Sequence, residues 1–348
     1  MSPIIRECEC QDLDYFILHT GQHYSYEMDK IFFEDLDLPQ PEFNLDVGSG
    51  SHAEQTGRIM MGIEPVFQNT KPDIILVQGD TNTVLASALT ASKMNIKIGH
   101  VEAGLRSFDR TMPEEINRIL TDHTSDLLFA PTMESQKNLL KEGIAKKKIH
   151  ITGNTIVDAV NQNKKIADNK GNILKKMDLS SKEYFIVTAH RAENVDSKDR
   201  LKGIIKGLQQ IHAEFSIPII FPVHPRTKKM MEKFQIATDG IQWIDPLGYL
   251  DFLQLEANAK LILTDSGGLQ EESCILGVPC VTLRDNTERP ETIAVGSNIL
   301  VGSDSDNIVK GAHLIINNKK KWKNPFGDGT AGKIIINTCE EIVPNCTS

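Results

Sequence analysis

No run in the chain approaches the roughly 20 consecutive apolar residues that a membrane-spanning helix needs. Nor does it open on a basic stretch followed by a long apolar one, so neither a transmembrane anchor nor a signal peptide is expected. Positive charge is in deficit, with 38 Lys and Arg against 47 Asp and Glu and a net charge of −9. A general nucleic-acid binder needs a basic surface to neutralise phosphates, so that class is disfavoured. A local basic pocket for a small anion remains compatible with this balance. Cysteine is sparse: Cys8, Cys10, Cys274, Cys280, Cys339 and Cys346, none in a Cys-x-x-Cys pair. Cys8 and Cys10 lie closer together than zinc ligands usually do. Six reduced thiols in a cytoplasmic protein are therefore expected, and no metal site.

What is present is ordinary globular material, 40% hydrophobic and 24% charged. At roughly 100–200 residues per domain, the 348 residues suggest two domains. Strand-length apolar runs recur at Tyr15–His19, Ile74–Gln78, Lys97–Glu102, Leu127–Ala130, Ile149–Thr152, Tyr184–Ala189, Ile217–Val223, Gln242–Ile244, Leu261–Thr264 and Pro279–Leu283. Most are continuous, not alternating, which fits strands covered on both faces in parallel sheets. Alternation with helical stretches then implies α/β units. Between Ile156 and Lys182 a helical pattern runs into Asn- and Lys-rich sequence, the best candidate for a linker. The short apolar run Ile334–Ile336 suggests a closing helix that packs back on the first half.

Polar residues cluster directly after the apolar runs. In open α/β sheets ligands bind outside the carboxyl ends of strands, so this placement carries information. Gly79-Asp80 follows Ile74–Gln78, and Asp80 reads either as a helix cap or as a ligand-facing carboxylate. Glu102 directly follows a buried strand, where an unpaired charge is costly. An ion pair with Arg106 is its bland explanation. Pro113-Glu114-Glu115 has the form of a helix start, with acids favoured by the macrodipole. His190, flanked by Arg191, ends another strand and is a candidate phosphate contact or general acid; His224 ends the next strand in a similar way. Asp265-Ser266-Gly267-Gly268 between a strand and a helix start offers free backbone N–H groups to an anion. Glu272 lies just inside that helix, placed to accept from ribose hydroxyls. The segment is neither a Walker A loop nor Gly-x-Gly-x-x-Gly, so NAD has no direct support. Arg289 is a candidate phosphate contact.

Seven segments together resemble the non-hydrolysing UDP-N-acetylglucosamine 2-epimerases. They are Thr20-Gly-Gln-His23, Gln78-Gly-Asp80-Thr, Gly99-His-Val-Glu102-Ala-Gly-Leu-Arg106, Pro113-Glu114-Glu115-Ile-Asn-Arg118, Thr188-Ala-His190-Arg191, Asp265-Ser-Gly-Gly268-Leu-Gln-Glu-Glu272 and Thr287-Glu-Arg289-Pro290-Glu291. They stand in the family's order with similar spacing. The resemblance implies a glycosyltransferase-B-like α/β architecture: two Rossmann-like domains with parallel sheets flanking a central cleft. The domains are expected at 1–164, completed by a C-terminal helix at 333–348, and at 165–332. It also implies reversible C2 epimerisation of UDP-GlcNAc to UDP-ManNAc through UDP elimination and re-addition, without a cofactor. Asp80, Glu102 and Glu114 are the implied acid/base set, and His190 the group at the leaving phosphate. Phe252, Ser266, Gly267, Gly268, Glu272 and Arg289 are the implied UDP-sugar contacts. Gln22, His23 and Arg58 resemble a regulatory UDP-GlcNAc site, and a cytoplasmic homodimer is implied.

Two departures stand out. The family's first strand and its Gly-Thr-Arg-Pro-Glu loop have no counterpart before Ser2-Pro3-Ile4, so two neighbouring strand edges are expected to lie open. The corresponding expectation is a functional protein longer at its N-terminus, which an intact mass of 38.8 kDa for the active enzyme would refute. Leu247 also stands where some relatives carry a Gln that helps hold uracil. Competing readings are a glycosyltransferase of the same architecture, a hydrolysing relative, an epimerase of a modified UDP-acetamido sugar, and a binding-only protein.

Overall fold

The structure is a computed structural model that describes residues 1–21, 33–318 and 321–342. The chain divides into two compact units, Met1–Ala159 with Phe326–Ser348, and Val160–Pro325.

The first unit contains β1 (Leu18–His19), β2 (Phe43–Asn44), β3 (Ile74–Gln78), β4 (Lys97–Val101), β5 (Leu127–Ala130) and β6 (Ile149–Ile151). All pairings are parallel, and they fall into two separate sheets, β1-β2 and β3-β4-β5-β6. The apolar run expected to start at Tyr15 pairs only at its end, over Leu18–His19. In β4, Gly99 allows close packing: a Cβ there would lie 2.5 Å from Leu76 Cδ2 and 3.0 Å from Phe129 Cε2. The helix His52–Thr70 starts where the Ser51 side chain accepts from Glu54 N. It buries Ile59, Ile63 and Phe67, four residues apart and so on one face, against Ile75 and Val77.

The helix Ala331–Glu340 belongs to this unit. Ile335, Ile336 and Cys339 pack with Ile4 and Cys8 of the helix Ser2–Cys10. Its start is fixed by the Asp158 carboxylate, which accepts from Ala331 N at 3.3 Å and Gly332 N at 3.0 Å. These are two of the donors that every helix N-terminus leaves without an intrahelical partner.

The second unit contains β7 (Phe185–Thr188), β8 (Ile219–Pro222), β9 (Ile241–Ile244), β10 (Leu261–Thr264), β11 (Cys280–Thr282) and β12 (Asn298–Leu300). They form one parallel sheet in the order β12-β11-β10-β7-β8-β9. Apolar clusters cover both faces, one around Phe185, Val187, Phe221 and Leu263, the other around Tyr184, Ile186, Ile220 and Ile262. Alternate residues of β7 enter opposite clusters, as the two-residue period of a strand requires. The chain builds outward from β7 to β9, then returns to β10 beside β7 and builds the other way. That reversal is the topological switch point at which open α/β sheets bind ligands.

The polar stretch after Ile156 is not open chain: a helix covers Thr155–Lys170. Among the described residues no helix is long and apolar enough to cross a membrane. None of their His, Cys, Asp and Glu side chains form a group of three that could hold a metal. The five described cysteines are free thiols.

Candidate active site

In the first unit the polar residues gather at the carboxyl ends of β3 and β4. Gly79 turns the chain after β3 with φ of +85°. Asp80 does not cap the helix that follows. Thr81 holds that position, and its side chain makes no capping bond. The Asp80 carboxylate instead accepts from Arg118 Nη1, and its carbonyl accepts from Asn117 Nδ2 at 2.8 Å.

Glu102 directly follows β4 in the left-handed region, with φ of +71°. A non-glycine residue held there costs of order 1–3 kcal/mol, and such residues concentrate at functional sites. Its carboxylate accepts from Gln78 Nε2 at 2.6 Å. The ion pair with Arg106 that would have been its bland explanation is not formed. Arg106 turns away and forms a buried pair with Asp122 at 2.7 Å and Glu142 at 2.7 Å. Burial alone would lower the Arg106 pKa, yet these two carboxylates raise it. Asp122 also takes His100 Nδ1 at 2.6 Å and Gly104 N at 3.1 Å. Arg106 is thus a brace for the turn beneath Glu102. Arg106→Met is expected to lower stability by about 3–5 kcal/mol, the cost of stranding a buried carboxylate. Urea unfolding of the two chains checks this, and an unchanged midpoint would show that the brace contributes nothing.

Of the two acids at the start of the helix Pro113–Thr124, Glu115 is buried and Glu114 is exposed. Glu115 accepts from Ser107 N at 2.9 Å, Phe108 N at 3.0 Å and Arg118 Nη2 at 2.8 Å. Burial opposes its ionisation, but these donors hold its pKa below the usual value. Arg118 therefore bridges Asp80 and Glu115, and Glu115 shapes the loop leading to Glu114. Asp80 and Glu102 lie at adjoining strand ends of this one unit, and Arg118 reaches Asp80 from the helix Pro113–Thr124.

The second unit carries an open pocket of ≈ 250 Å³ at its switch point, lined by Thr188, His190, His224, Leu247, Phe252 and Ser266 among others. His190 follows β7 and Ser266 follows β10. The His190 ring is half-exposed, and its Nδ1 lies 3.2 Å from Asp265 Oδ1. Asp265 is wholly buried and also accepts from the backbone N–H groups of His190 at 3.0 Å and Arg191 at 3.0 Å, and from Asn194 Nδ2 at 3.1 Å. Burial works against its charge, but the His190 ring and these donors hold its pKa below the ordinary carboxyl value. Asp265 thus sets the orientation of the imidazole.

The helix Gly267–Leu276 begins at Ser266, whose side chain makes no capping bond. A Cβ on Gly267 would meet nothing nearer than Glu288 Oε2 at 3.7 Å, and one on Gly268 nothing nearer than Ser266 Oγ at 3.9 Å. Protein packing does not demand glycine here; the open approach suits an anion on the helix N-terminus. Phe252 and Leu247 form an apolar wall. Of the expected UDP-sugar contacts, Phe252 and Ser266 line the pocket, and Gly267, Gly268, Glu272 and Arg289 do not. Glu272 is buried and accepts from Tyr249 Oη at 3.2 Å. Arg289 Nε lies 2.9 Å from Glu271 Oε1. Arg284, which the motif reading passed over, ties the loop before Arg289 by pairing with Glu193 at 3.1 Å and Glu288 at 2.8 Å.

Of the three residues assigned to a regulatory site, Gln22 and His23 lie outside the described residues. Arg58 is exposed and pairs with Glu54 one helical turn away, at 2.5 Å.

Comparison with known proteins gives the family. The family model described as UDP-N-acetylglucosamine 2-epimerase matches residues 6–340. The chain is 56% identical over 343 residues to the UDP-N-acetylglucosamine 2-epimerase of Methanocaldococcus jannaschii, covering 97% of this chain and 94% of that protein. It is 45% identical over 307 residues to the UDP-2,3-diacetamido-2,3-dideoxy-D-glucuronate 2-epimerase of Pseudomonas aeruginosa, covering 87% and 84%. The crystal structure of the M. jannaschii UDP-GlcNAc 2-epimerase in complex with UDP-GlcNAc and UDP superposes with a TM-score of 0.84 at 56% identity, covering 98% and 95%. The α/β architecture is accordingly glycosyltransferase-B-like, and the chain belongs to the UDP-N-acetylglucosamine 2-epimerase family of isomerases.

Proposed function

We propose that this chain interconverts UDP-GlcNAc and UDP-ManNAc without hydrolysing either. The carrying observation is the pocket at the switch point of the second sheet. There an oriented imidazole, an uncapped helix N-terminus and an aromatic wall surround one space. A nucleoside diphosphate asks for this combination: donors for the pyrophosphate and an apolar face for the base. The relative solved with UDP-GlcNAc and UDP supports the same ligand class.

The chemistry then sets the roles. The C2 proton of the sugar has no neighbouring carbonyl to acidify it. The C1–O bond must therefore break as the proton leaves, with oxocarbenium character at C1. A carboxylate takes the C2 proton, the C2–H electrons form the C1=C2 bond of 2-acetamidoglucal, and the C1–O pair departs with UDP. Return of a proton to the opposite face of C2, with re-addition of UDP oxygen at C1, gives the epimer. Transfers on two faces call for more than one acid/base group. Asp80, Glu102 and Glu114 fill those roles. His190 stabilises the leaving phosphate, where negative charge develops. Ser266, Gly267 and Gly268 hold the pyrophosphate and Phe252 the base, with Glu272 and Arg289 as further nucleotide contacts.

Proton NMR of UDP-GlcNAc incubated with the protein in D2O tests this. Deuterium at C2 and a new UDP-ManNAc anomeric signal are expected. Free ManNAc would point to hydrolysis instead, and no exchange at all would overturn the assignment. The P. aeruginosa relative favours a second reading, a 2-epimerase of a diacetamido uronic acid sugar nucleotide. Exchange with that substrate alone would establish it.

A further inference from the structure

Two carboxyl groups meet inside the second unit. Glu256 lies on the helix Tyr249–Asn258, beside the buried Leu253 and Leu255, and is 0% exposed. Neither of its oxygens receives a hydrogen bond. An ionised carboxylate in such a place is prohibitively costly. The group against it is the carboxyl of Glu272, on the neighbouring helix Gly267–Leu276, itself only 8% exposed. Two carboxylates in contact away from water cannot both be charged, so the second group must bring a proton.

The surroundings decide which one. Tyr249 Oη, on the helix of Glu256, donates to Glu272 at 3.2 Å, and Asn163 in turn bonds Tyr249. Glu271 adds negative charge beside Glu272, although it is paired with Arg289. Cys280 of β11 feels Glu256, and burial pushes that thiol up to about 12, so it stays neutral. Among the described residues no cation acts on Glu256. Burial first, and then the charge of Glu272, hold the pKa of Glu256 well above the ordinary carboxyl value. Burial raises Glu272 to about 7.

We propose that Glu256 is a buried carboxylic acid that donates its proton to Glu272 and, with Tyr249, fixes the Glu272 carboxylate for a ribose diol. Glu256 is then a positioning residue of the nucleotide site. The part concerning ribose rests on the function proposed above; the shared proton does not.

The two parts are tested separately. The first test uses ligand-free protein. Two carboxyls with raised pKa values hold protons that the unfolded chain releases above its ordinary value of 4.5. Stability therefore falls as pH rises through and beyond that value. Glu256→Gln removes one such proton while keeping the shape and a donor. Its folding equilibrium constant is expected to gain on the parent by up to about tenfold per pH unit. Denaturant unfolding at pH 5.5 to 8.5 reads this, and curves that run parallel would overturn the shared proton.

The second test is UDP binding by calorimetry. Glu256→Leu removes the donor from an apolar surrounding and is expected to weaken UDP by about tenfold. Glu256→Gln, which still donates, is expected to restore binding. Equal affinity in all three chains would overturn the positioning role. Failure of the parent to bind UDP would overturn both that role and the substrate reading, leaving the unfolding experiment to judge the proton on its own.

Discussion

A Glu102→Gln chain is expected to bind UDP as the parent does and to turn over about 10²–10⁴-fold more slowly, the usual contribution of a positioned acid/base group. Glu102 is held at φ of +71° directly after β4, and Gln78 Nε2 fixes one carboxylate oxygen at 2.6 Å. Packing does not account for a strained, charged residue at that point, because Arg106 is already committed to Asp122 and Glu142. Glutamine keeps the size and most of the hydrogen bonding but cannot accept a proton. The loss should therefore fall on kcat, with KM little changed, and on the rate of deuterium uptake at C2. Equal turnover in the two chains would leave the proton transfers to Asp80 and Glu114.

Asp265→Ala is expected to cost about 3–5 kcal/mol of stability. The carboxylate collects the N–H groups of His190 and Arg191, the Asn194 amide and the His190 ring, all at 3.0–3.2 Å. Its removal strands buried donors around a vacated site. Asp265→Asn keeps the volume but turns an amide toward groups that themselves donate, and leaves the imidazole without its charged partner. A fall in kcat of about 10²-fold or more is expected, within the range of a general acid. The pH dependence has a definite sign. The folded pKa of Asp265 is lowered, so its stabilisation is complete above the unfolded value of 3.8 and is lost as pH falls below it. The asparagine chain should lack that acid limb in thermal unfolding. Retention of the limb in Asp265→Asn would assign it to another carboxyl, of which Glu288, held down to about 2 by Arg284, is the nearest in kind.

The long continuous apolar runs were readable as strands because burial on both faces leaves no polar residue to interrupt them. Ile74–Gln78, Leu127–Ala130 and Leu261–Thr264 stand in the structure with the same limits. Phe43–Asn44 and Asn298–Leu300 were not readable, since two or three mixed residues carry no period. The strand-end location of Asp80, Glu102, His190 and Ser266 was legible for the same reason as the strands. Their partners were not. Arg118 reaches Asp80 across 38 positions and Asp265 reaches His190 across 75, and no local spacing encodes such pairings. Asp265 did leave a trace, as the first polar residue after β10. Glu256 left none, because a single acid inside an amphipathic helix reads as a surface residue until the fold buries it.

The first unit is assembled from both ends of the described chain, while the second is continuous from Val160 to Pro325. During synthesis the second unit can close its sheet as soon as β12 emerges. The first must wait, since Asp158 has no helix start to hold until Ala331 and Gly332 are made, and the cluster of Ile4, Cys8, Val101 and Phe129 stays incomplete until Ile335, Ile336 and Cys339 arrive. The second unit is thus free to fold first on the ribosome, and the unit bearing Asp80 and Glu102 is finished last. A released chain ending at Pro325 should accordingly present a protease-resistant second unit and a labile first one.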